Sequence, residues 1–400
     1  MSLKLGAHDG RTLAVTDAAV SDTVTAPPRS IAPTRRGPTD PRFEQIGRTP
    51  LTDDTSGRPP SVASFRVSTR SPLHVVVQGP SAPRGTLERL QACLRPGAAT
   101  VRLPPGALHG DAFRLHDVSY DAADYARAEE LASEASLDIS PVPDDRHIDN
   151  LALFATDVDK TLIDGDFHAK LVELKGDPEA DALAWREDIV ESMRGRVATL
   201  AGIGMEDFHE VGDMMARRLM PGAREFIGML SPQARVLLIS SGFTQFVEKL
   251  RDELGAKHLH VHAHANRLLT TLAEAQTSID DGRFDDAASS LSSEASRVMS
   301  ELLTGKMDGE FLDGNVKERL FRQYHADLPD DAHSAAMGDG ENDIPMLAAA
   351  VELGGVGAAF RPPYDRHLLP SGVDVIEHSG YDALGNLFMG IERRRRDTGQ

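Results

Sequence analysis

From residue 73 onward, apolar positions recur in short blocks whose spacing alternates between two and three to four residues. HVVVQ (74–78) reads as a strand, RGTLERLQACL (84–94) as an amphipathic helix, and ATVRL (99–103) and FRLHDVSY (113–120) as strands. YARAEELASEA (125–135) has helical spacing and leads to the strand-like LDISPV (137–142). The order βαββαβ is that of a split βαβ unit, which predicts a small α+β, ferredoxin-like (ACT-like) domain over about 71–145. Small sheets of this kind serve as regulatory or dimerising modules, so a homodimer is the expected assembly.

PVPDDRHID (141–149) reads as a linker, and regular alternation follows it. NLALFATD (150–157), RVLLISS (235–241), HSAAMGD (333–339) and GGVGAAF (354–360) are nearly continuous apolar runs. PGAREFIGML (221–230), TQFVEKLRDEL (244–254), VKERLFRQYH (316–325) and DIPMLAAAV (343–351) have helical spacing. Apolar strands alternating with helices predict an α/β fold, a Rossmann-like parallel sheet covered on both faces, over 146–400. Amphipathic helical sequence over about 166–215 interrupts the alternation and predicts an inserted helical cap. Two similar turn signals, DGRF (281–284) and DGEF (308–311), could each close a hairpin, with a Ser- and Ala-rich helix between them, and one of the two is expected to be extra.

Residues 1–70 lack this patterning. They hold 8 of the 24 prolines and no sustained apolar period, so they are expected to form a disordered tail. Their ten Lys or Arg against seven Asp or Glu give +3, leaving −22 on the rest of a chain whose net charge is −19. That charge argues against nucleic acid or an anionic membrane as a partner. No apolar leader opens the chain and no run approaches about 18 apolar residues, which argues against secretion and membrane spanning. A single cysteine, Cys93, precludes an internal disulfide, so a cytoplasmic location is expected.

In an open α/β sheet, ligands bind outside the carboxyl ends of the strands. Those ends carry Asp157 and Asp159 on the first strand, Ser240 and Ser241 on the second, and Asp339 and Asp343 in GDGENDIPML, with Lys317 at a helix start. Any one of these is an ordinary turn or cap residue. Together, in this order, they form a constellation.

The constellation resembles the haloacid dehalogenase superfamily. Its D-x-D-x-T motif is matched by Asp157, Asp159 and Thr161, its second motif by Ser240 in SSGF, its third by Lys317 and its fourth by GDGENDIPML. SMRGRVATL and ANRL are similar to segments of the phosphoserine phosphatases of that superfamily. The resemblance implies hydrolysis of O-phospho-L-serine in serine biosynthesis; the alternatives are the same chemistry on another small phosphomonoester, and a catalytically silent protein that senses an amino acid, against which the retained catalytic residue types argue. Asp157 is then the nucleophile that becomes an aspartyl phosphate, and Asp159 the general acid and base. Carboxylates crowded beside a phosphate dianion require a hard cation, and oxygen ligands select Mg²⁺. Asp157, the Asp159 carbonyl, Asp339 and Asp343 are the expected ligand set. Ser240, the Ser241 and Gly242 amides, Lys317 and Asn342 are expected around the phosphate. Arg196 in the cap is expected to pair the substrate carboxylate, the alternative being that Arg194 and Arg196 are both solvated helix charges.

This chain departs from that pattern at four positions. Asp166 stands where those enzymes use a glutamate for the substrate amino group, Ile189 where an aromatic is frequent, Ser241 for a glycine and Lys160 for a serine. Separately, His258, His260, His262 and His264 alternate, so a strand would align four imidazoles on one face. Imidazole suits Zn²⁺ or Ni²⁺, but such side chains run parallel and do not converge on an ion without partners from elsewhere, so a functional metal is not expected there.

Overall fold

The computed structural model describes residues 73–106, 110–176, 179, 189–254, 260–270, 273, 302–309 and 311–397. The expected tail, the DGRF turn, the Ser- and Ala-rich segment, His258 and the Ile189 side chain lie outside the described residues.

Four strands, β1 (Leu73–Gly79), β2 (Val101–Arg102), β3 (Asp111–Leu115) and β4 (Asp138–Pro143), form one sheet in the order β2-β3-β1-β4. β1 is antiparallel to both β3 and β4. The helices Arg84–Leu94 and Ala122–Glu134 fall where the spacing puts them. The strand expected over 113–120 stops at Leu115, because the chain turns at Asp117, whose φ is 52°. Alternation divides β1 between two cores. Val75 and Val77 pack with Leu90, Leu94, Ala128 and Leu131 of the two helices, whereas Val76 joins the main core of the molecule.

The second sheet has the order β11-β10-β9-β5-β6-β7-β8. Its centre is β5 (Leu151–Thr156), flanked by β6 (Arg235–Phe243) and β9 (His333–Gly338), with β7 (His260–Thr270) and β10 (Val356–Phe360) beyond them. β11 (Asp374–Ile376) and β8 (Leu303–Asp308) are the edges, and only β8 is antiparallel to its neighbour. Both faces of β5 are covered. Leu153 and Ala155 pack with Phe321, Met346 and Leu347 of the helices Gly314–His325 and Ile344–Glu352, and Phe154 faces the opposite cluster with Phe226 and Phe246. That two-sided burial is why the strand reads as an unbroken apolar run.

One expectation needs correction. DGEF closes no hairpin, because it follows β8 and leads into the helix Gly314–His325; the hairpin it leaves is β7 with β8, which pair Arg267 with Asp308 and Thr270 with Leu303. Of the histidines, His264 hydrogen-bonds the Tyr324 hydroxyl at 3.0 Å, and the His262 ring lies 5.1 Å from the same tyrosine. Both half-buried, they pack β7 onto the helix Gly314–His325.

Between β5 and β6 the cap comprises the helices Phe167–Lys175, Ile189–Thr199 and Met205–Ala216. Phe167 stacks on Phe246 of the helix Thr244–Glu253 at 4.0 Å and 7°, anchoring the cap to the core. β8 ties it from another side, through Gly202 N–H to Leu303 O (2.8 Å) and Leu303 N–H to Ile203 O (2.9 Å).

Candidate active site

β5 delivers Asp157 as the first residue beyond its end, and the Asp157 N–H donates to Met337 O of β9 at 2.9 Å. Val158 is fully buried beneath, so Asp157 and Asp159 emerge on the same side. β9 ends one residue before Asp339, and the short turn that follows carries Asp343. A Cβ on Gly338 would collide with the Asp343 carboxyl group, so glycine is what lets this turn fold back on the strand. Thr161 donates to Asp339 Oδ1 at 3.0 Å, and the Gly340 N–H donates to Asp343 Oδ2 at 2.9 Å.

Lys317, 2% exposed, reaches in from the helix Gly314–His325 and donates to Asp157 Oδ1 and Asp343 Oδ1, both at 2.6 Å. Burial disfavours its ammonium, but the two carboxylates outweigh burial and raise its pKa. One lysine does not neutralise the group. Burial, opposed by Lys317 and reinforced by Asp343, pushes Asp157 up to about 6, and burial with the charges of Asp157 and Asp343 pushes Asp339 up to about 8. Carboxylate oxygens of Asp157, Asp339 and Asp343 lie within 4.8 Å of one another. Three buried carboxylates converging on one point, short of positive charge and offering only oxygen, fit a hard divalent cation.

The Asp159 side chain, expected as the general acid and base, stands apart from these three carboxylates. Its Oδ1 accepts the Phe167 N–H at 2.7 Å, which turns the carboxylate away from the other three. The second oxygen faces the Ser240–Gly242 corner, where a Cβ on Gly242 would lie 3.1 Å from Asp159 Oδ2 and 2.9 Å from Ser240 Oγ. Burial, followed by the charge of Asp166, raises its pKa to about 7.

At the end of β6, Ser240 Oγ accepts the Gly242 N–H at 2.8 Å. The Gly242 amide, expected around the phosphate, thus meets Ser240 in the folded chain, and β6 continues to Phe243, so Ser241 and Gly242 precede the helix rather than begin it. Ser241 Oγ donates to Leu312 O at 2.9 Å and accepts from Asn342 Nδ2 at 2.6 Å. Asn266 completes this corner, donating to Ser241 O at 2.7 Å and accepting the Leu312 N–H at 2.8 Å. Asn266 lies in the ANRL segment that resembles the phosphoserine phosphatases, but no role is assigned to it. The signal was present, since Asn266 continues the period-two series of His260, His262 and His264.

From the cap, Asp166 caps the helix Phe167–Lys175 through the Ala169 N–H at 3.0 Å and meets Arg196 Nη2 at 3.3 Å and Lys160 Nζ at 3.6 Å. Burial alone would raise its pKa, but Arg196, the Ala169 amide and Lys160 outweigh burial and hold it below the usual range. Arg196 is buried and Arg194 exposed, which separates the two cap arginines. His168 fixes the end of the Arg196 helix, its Nε2 lying 2.7 Å from Arg196 O. These groups surround a cavity of about 180 Å³, closed on its apolar side by Phe167, Met193, Val197, Phe243 and Phe311. Asp157, Asp159, Asp166, Arg196, Ser240, Ser241, Gly242, Lys317, Asp339, Asn342 and Asp343 all line it. Asp164 does not, being an exposed partner of Arg218.

A profile of haloacid dehalogenase-like hydrolases matches residues 154–348. A phosphoserine phosphatase of Polaromonas sp. is 31% identical over 219 residues, which cover 52% of this chain and 79% of the relative. The chain belongs to the haloacid dehalogenase-like hydrolases. Within these hydrolases it falls among phosphatases like phosphoserine phosphatase. One from Streptomyces coelicolor is 33% identical over 243 residues, 58% of this chain, which spans 50% of that longer relative. A haloacid dehalogenase family hydrolase from Salmonella enterica serovar Typhi shares the hydrolase fold at a TM-score of 0.61 and 17% identity, over 80% of this chain and 99% of its own. No helix among the described residues is long and apolar enough to cross a membrane.

Proposed function

We propose that the protein is a Mg²⁺-dependent phosphatase that hydrolyses O-phospho-L-serine to serine and phosphate. The observation that carries this reading is a single cavity lined both by a nucleophile and acid pair, Asp157 and Asp159, and by an opposed charge pair, Asp166 and Arg196. The first pair suits the phosphoryl group. The second matches the ammonium and carboxylate of an amino acid, and Arg196 offers the planar fork that a carboxylate prefers.

In the first step an Asp157 carboxylate oxygen bonds to phosphorus as the ester P–O bond breaks, and Asp159 protonates the departing alkoxide. A carboxyl held up at about 7 retains a proton to give near neutral pH. In the second step Asp159 takes a proton from water, the oxygen attacks phosphorus, and the acyl phosphate bond breaks to return Asp157 as a carboxylate. Lys317 holds the free Asp157 carboxylate ionised and oriented before attack, while Ser240 and Asn342 offer donors to the phosphoryl oxygens. Asp157, Asp339, Asp343 and the Asp159 carbonyl would hold Mg²⁺. When bound, it offsets the charge between these carboxylates and the phosphate dianion.

A second reading, the same chemistry on another small phosphomonoester, draws on Asp166. Its carboxylate is one methylene shorter than the glutamate of the resembled enzymes and already serves Ala169, Arg196 and Lys160. A phosphate-release screen over phosphoserine, phosphothreonine, phosphohomoserine and sugar phosphates tests both. Phosphoserine should give the highest kcat/KM, and preference for an ester without an amino acid moiety would overturn the assignment.

A further inference from the structure

Thr156 ends β5, fully buried, one residue before the proposed nucleophile. Its hydroxyl accepts from Tyr381 OH at 2.8 Å and donates to the Asp157 backbone carbonyl at 2.8 Å. The peptide on one side of the Asp157 Cα is therefore held by the sheet through Met337 O, and the peptide on the other by two hydroxyls in series.

Tyr381 is fully buried and comes from a distant part of the chain, in the turn after β11. Its own N–H donates to Pro221 O at 2.9 Å, and its ring stands 6.2 Å from Phe154 and 5.8 Å from Phe360. Its neighbour Asp382 forms a buried ion pair with Arg395 at 2.9 Å. A phenylalanine would satisfy that ring packing equally well. The hydroxyl adds a desolvation cost that only its bond to Thr156 offsets.

We propose that Tyr381 is a positioning residue for Asp157, acting through Thr156 Oγ1 on the peptide that carries the nucleophile. The inference rests on the reading of Asp157 as nucleophile and holds for whichever ester the enzyme hydrolyses. In-line attack demands a carboxylate oxygen near contact with phosphorus, and a misplacement of about 1 Å costs on the order of 100-fold. Losing one link of a buried chain displaces the group less than that. Groups that contact the substrate, such as Arg196 and Ser240, are untouched by the change.

Tyr381→Phe should lower kcat by about 5-fold to 20-fold, as expected for one lost buried hydrogen bond, while KM moves by less than about 2-fold. Thr156→Val should reproduce that loss, and Thr156→Ser, which keeps the hydroxyl, should stay within about 2-fold of wild type. The double variant Tyr381→Phe/Thr156→Val should be no worse than either single change, because both break one chain. Should Thr156→Val fail to fold, Tyr381→Phe and Thr156→Ser carry the test. Wild-type kcat in Tyr381→Phe, with only its melting temperature lowered, overturns the inference and leaves the proposed function standing. A wild-type enzyme that hydrolyses no ester in the screen overturns the proposed function and this inference with it.

Discussion

Lys317 is the residue whose removal reports most directly on the charge balance of the site. Its ammonium is 2% exposed and lies 2.6 Å from both Asp157 and Asp343, so Lys317→Met, of similar length without charge, leaves two carboxylates uncompensated. Removing one partner of a buried pair costs about 3–5 kcal/mol, and a domain of this size loses roughly 2–4 °C per kcal/mol, giving a fall of roughly 6–20 °C. Thermal unfolding followed by circular dichroism, without divalent cations and at about pH 8, measures it. Mg²⁺ should then recover part of the loss in the variant, since the cation supplies charge where the ammonium did. The loss should also shrink toward about pH 5, because Asp157, already raised to about 6 beside Lys317, takes up a proton and sheds its charge. Lys317→Met/Asp157→Asn/Asp343→Asn should regain most of the stability, which separates charge from packing. A Lys317→Met protein that melts with wild type in the absence of metal would refute the reasoning.

Asp339→Asn should weaken divalent-cation binding measured by calorimetry, and activity should recover in part at high Mg²⁺; unchanged affinity would remove Asp339 from the ligand set. Arg196→Ala and Asp166→Ala should each lower kcat/KM for phosphoserine by about 10-fold to 150-fold, and far less for p-nitrophenyl phosphate, which carries neither an amine nor a carboxylate. Equal losses on the two substrates would assign the pair to cap folding alone. Asp374, on the β11 edge, has a carboxyl raised to about 6, chiefly by burial and against the pull of Arg146. The folded protein thus holds that proton more tightly than the unfolded chain, so its stabilising contribution is full below about pH 4 and lost as pH rises through about 6. Asp374→Asn should flatten stability against pH across that window, and a variant curve parallel to wild type there would contradict the shift.

Much of the site is visible in the sequence because its residues stand at strand ends and in helix starts, where local pattern and position coincide. Asp157, Asp159, Asp339 and Asp343 are found that way, and the cavity collects them all. What local pattern misses are the supports. His168 and Phe311 carry no motif, Asn266 stands in ANRL with no role assigned, and the Tyr381 hydroxyl reaches Thr156 across 225 residues of chain. The Gly242 amide, expected at the phosphate, meets Ser240 Oγ, and the Asp159 carboxylate accepts the Phe167 N–H, contacts that no local pattern announces.

The sequence by itself determined the alternation of strands and helices, the parallel character of the large sheet, the cap insertion and the roster of acidic strand ends. Apolar periodicity reports which face of an element is buried, and it operates over two to four residues. Only the tertiary structure decided what the buried faces meet. Val76 turns one face of the small sheet into the main core, where Arg114 donates to Asn386 O and Phe388 O and pairs with Glu392. Pairings of this kind depend on which distant segments the packed core brings within hydrogen-bond reach. No spacing along the chain encodes that distance, so the seat of the nucleophile became legible only once the core had closed around it.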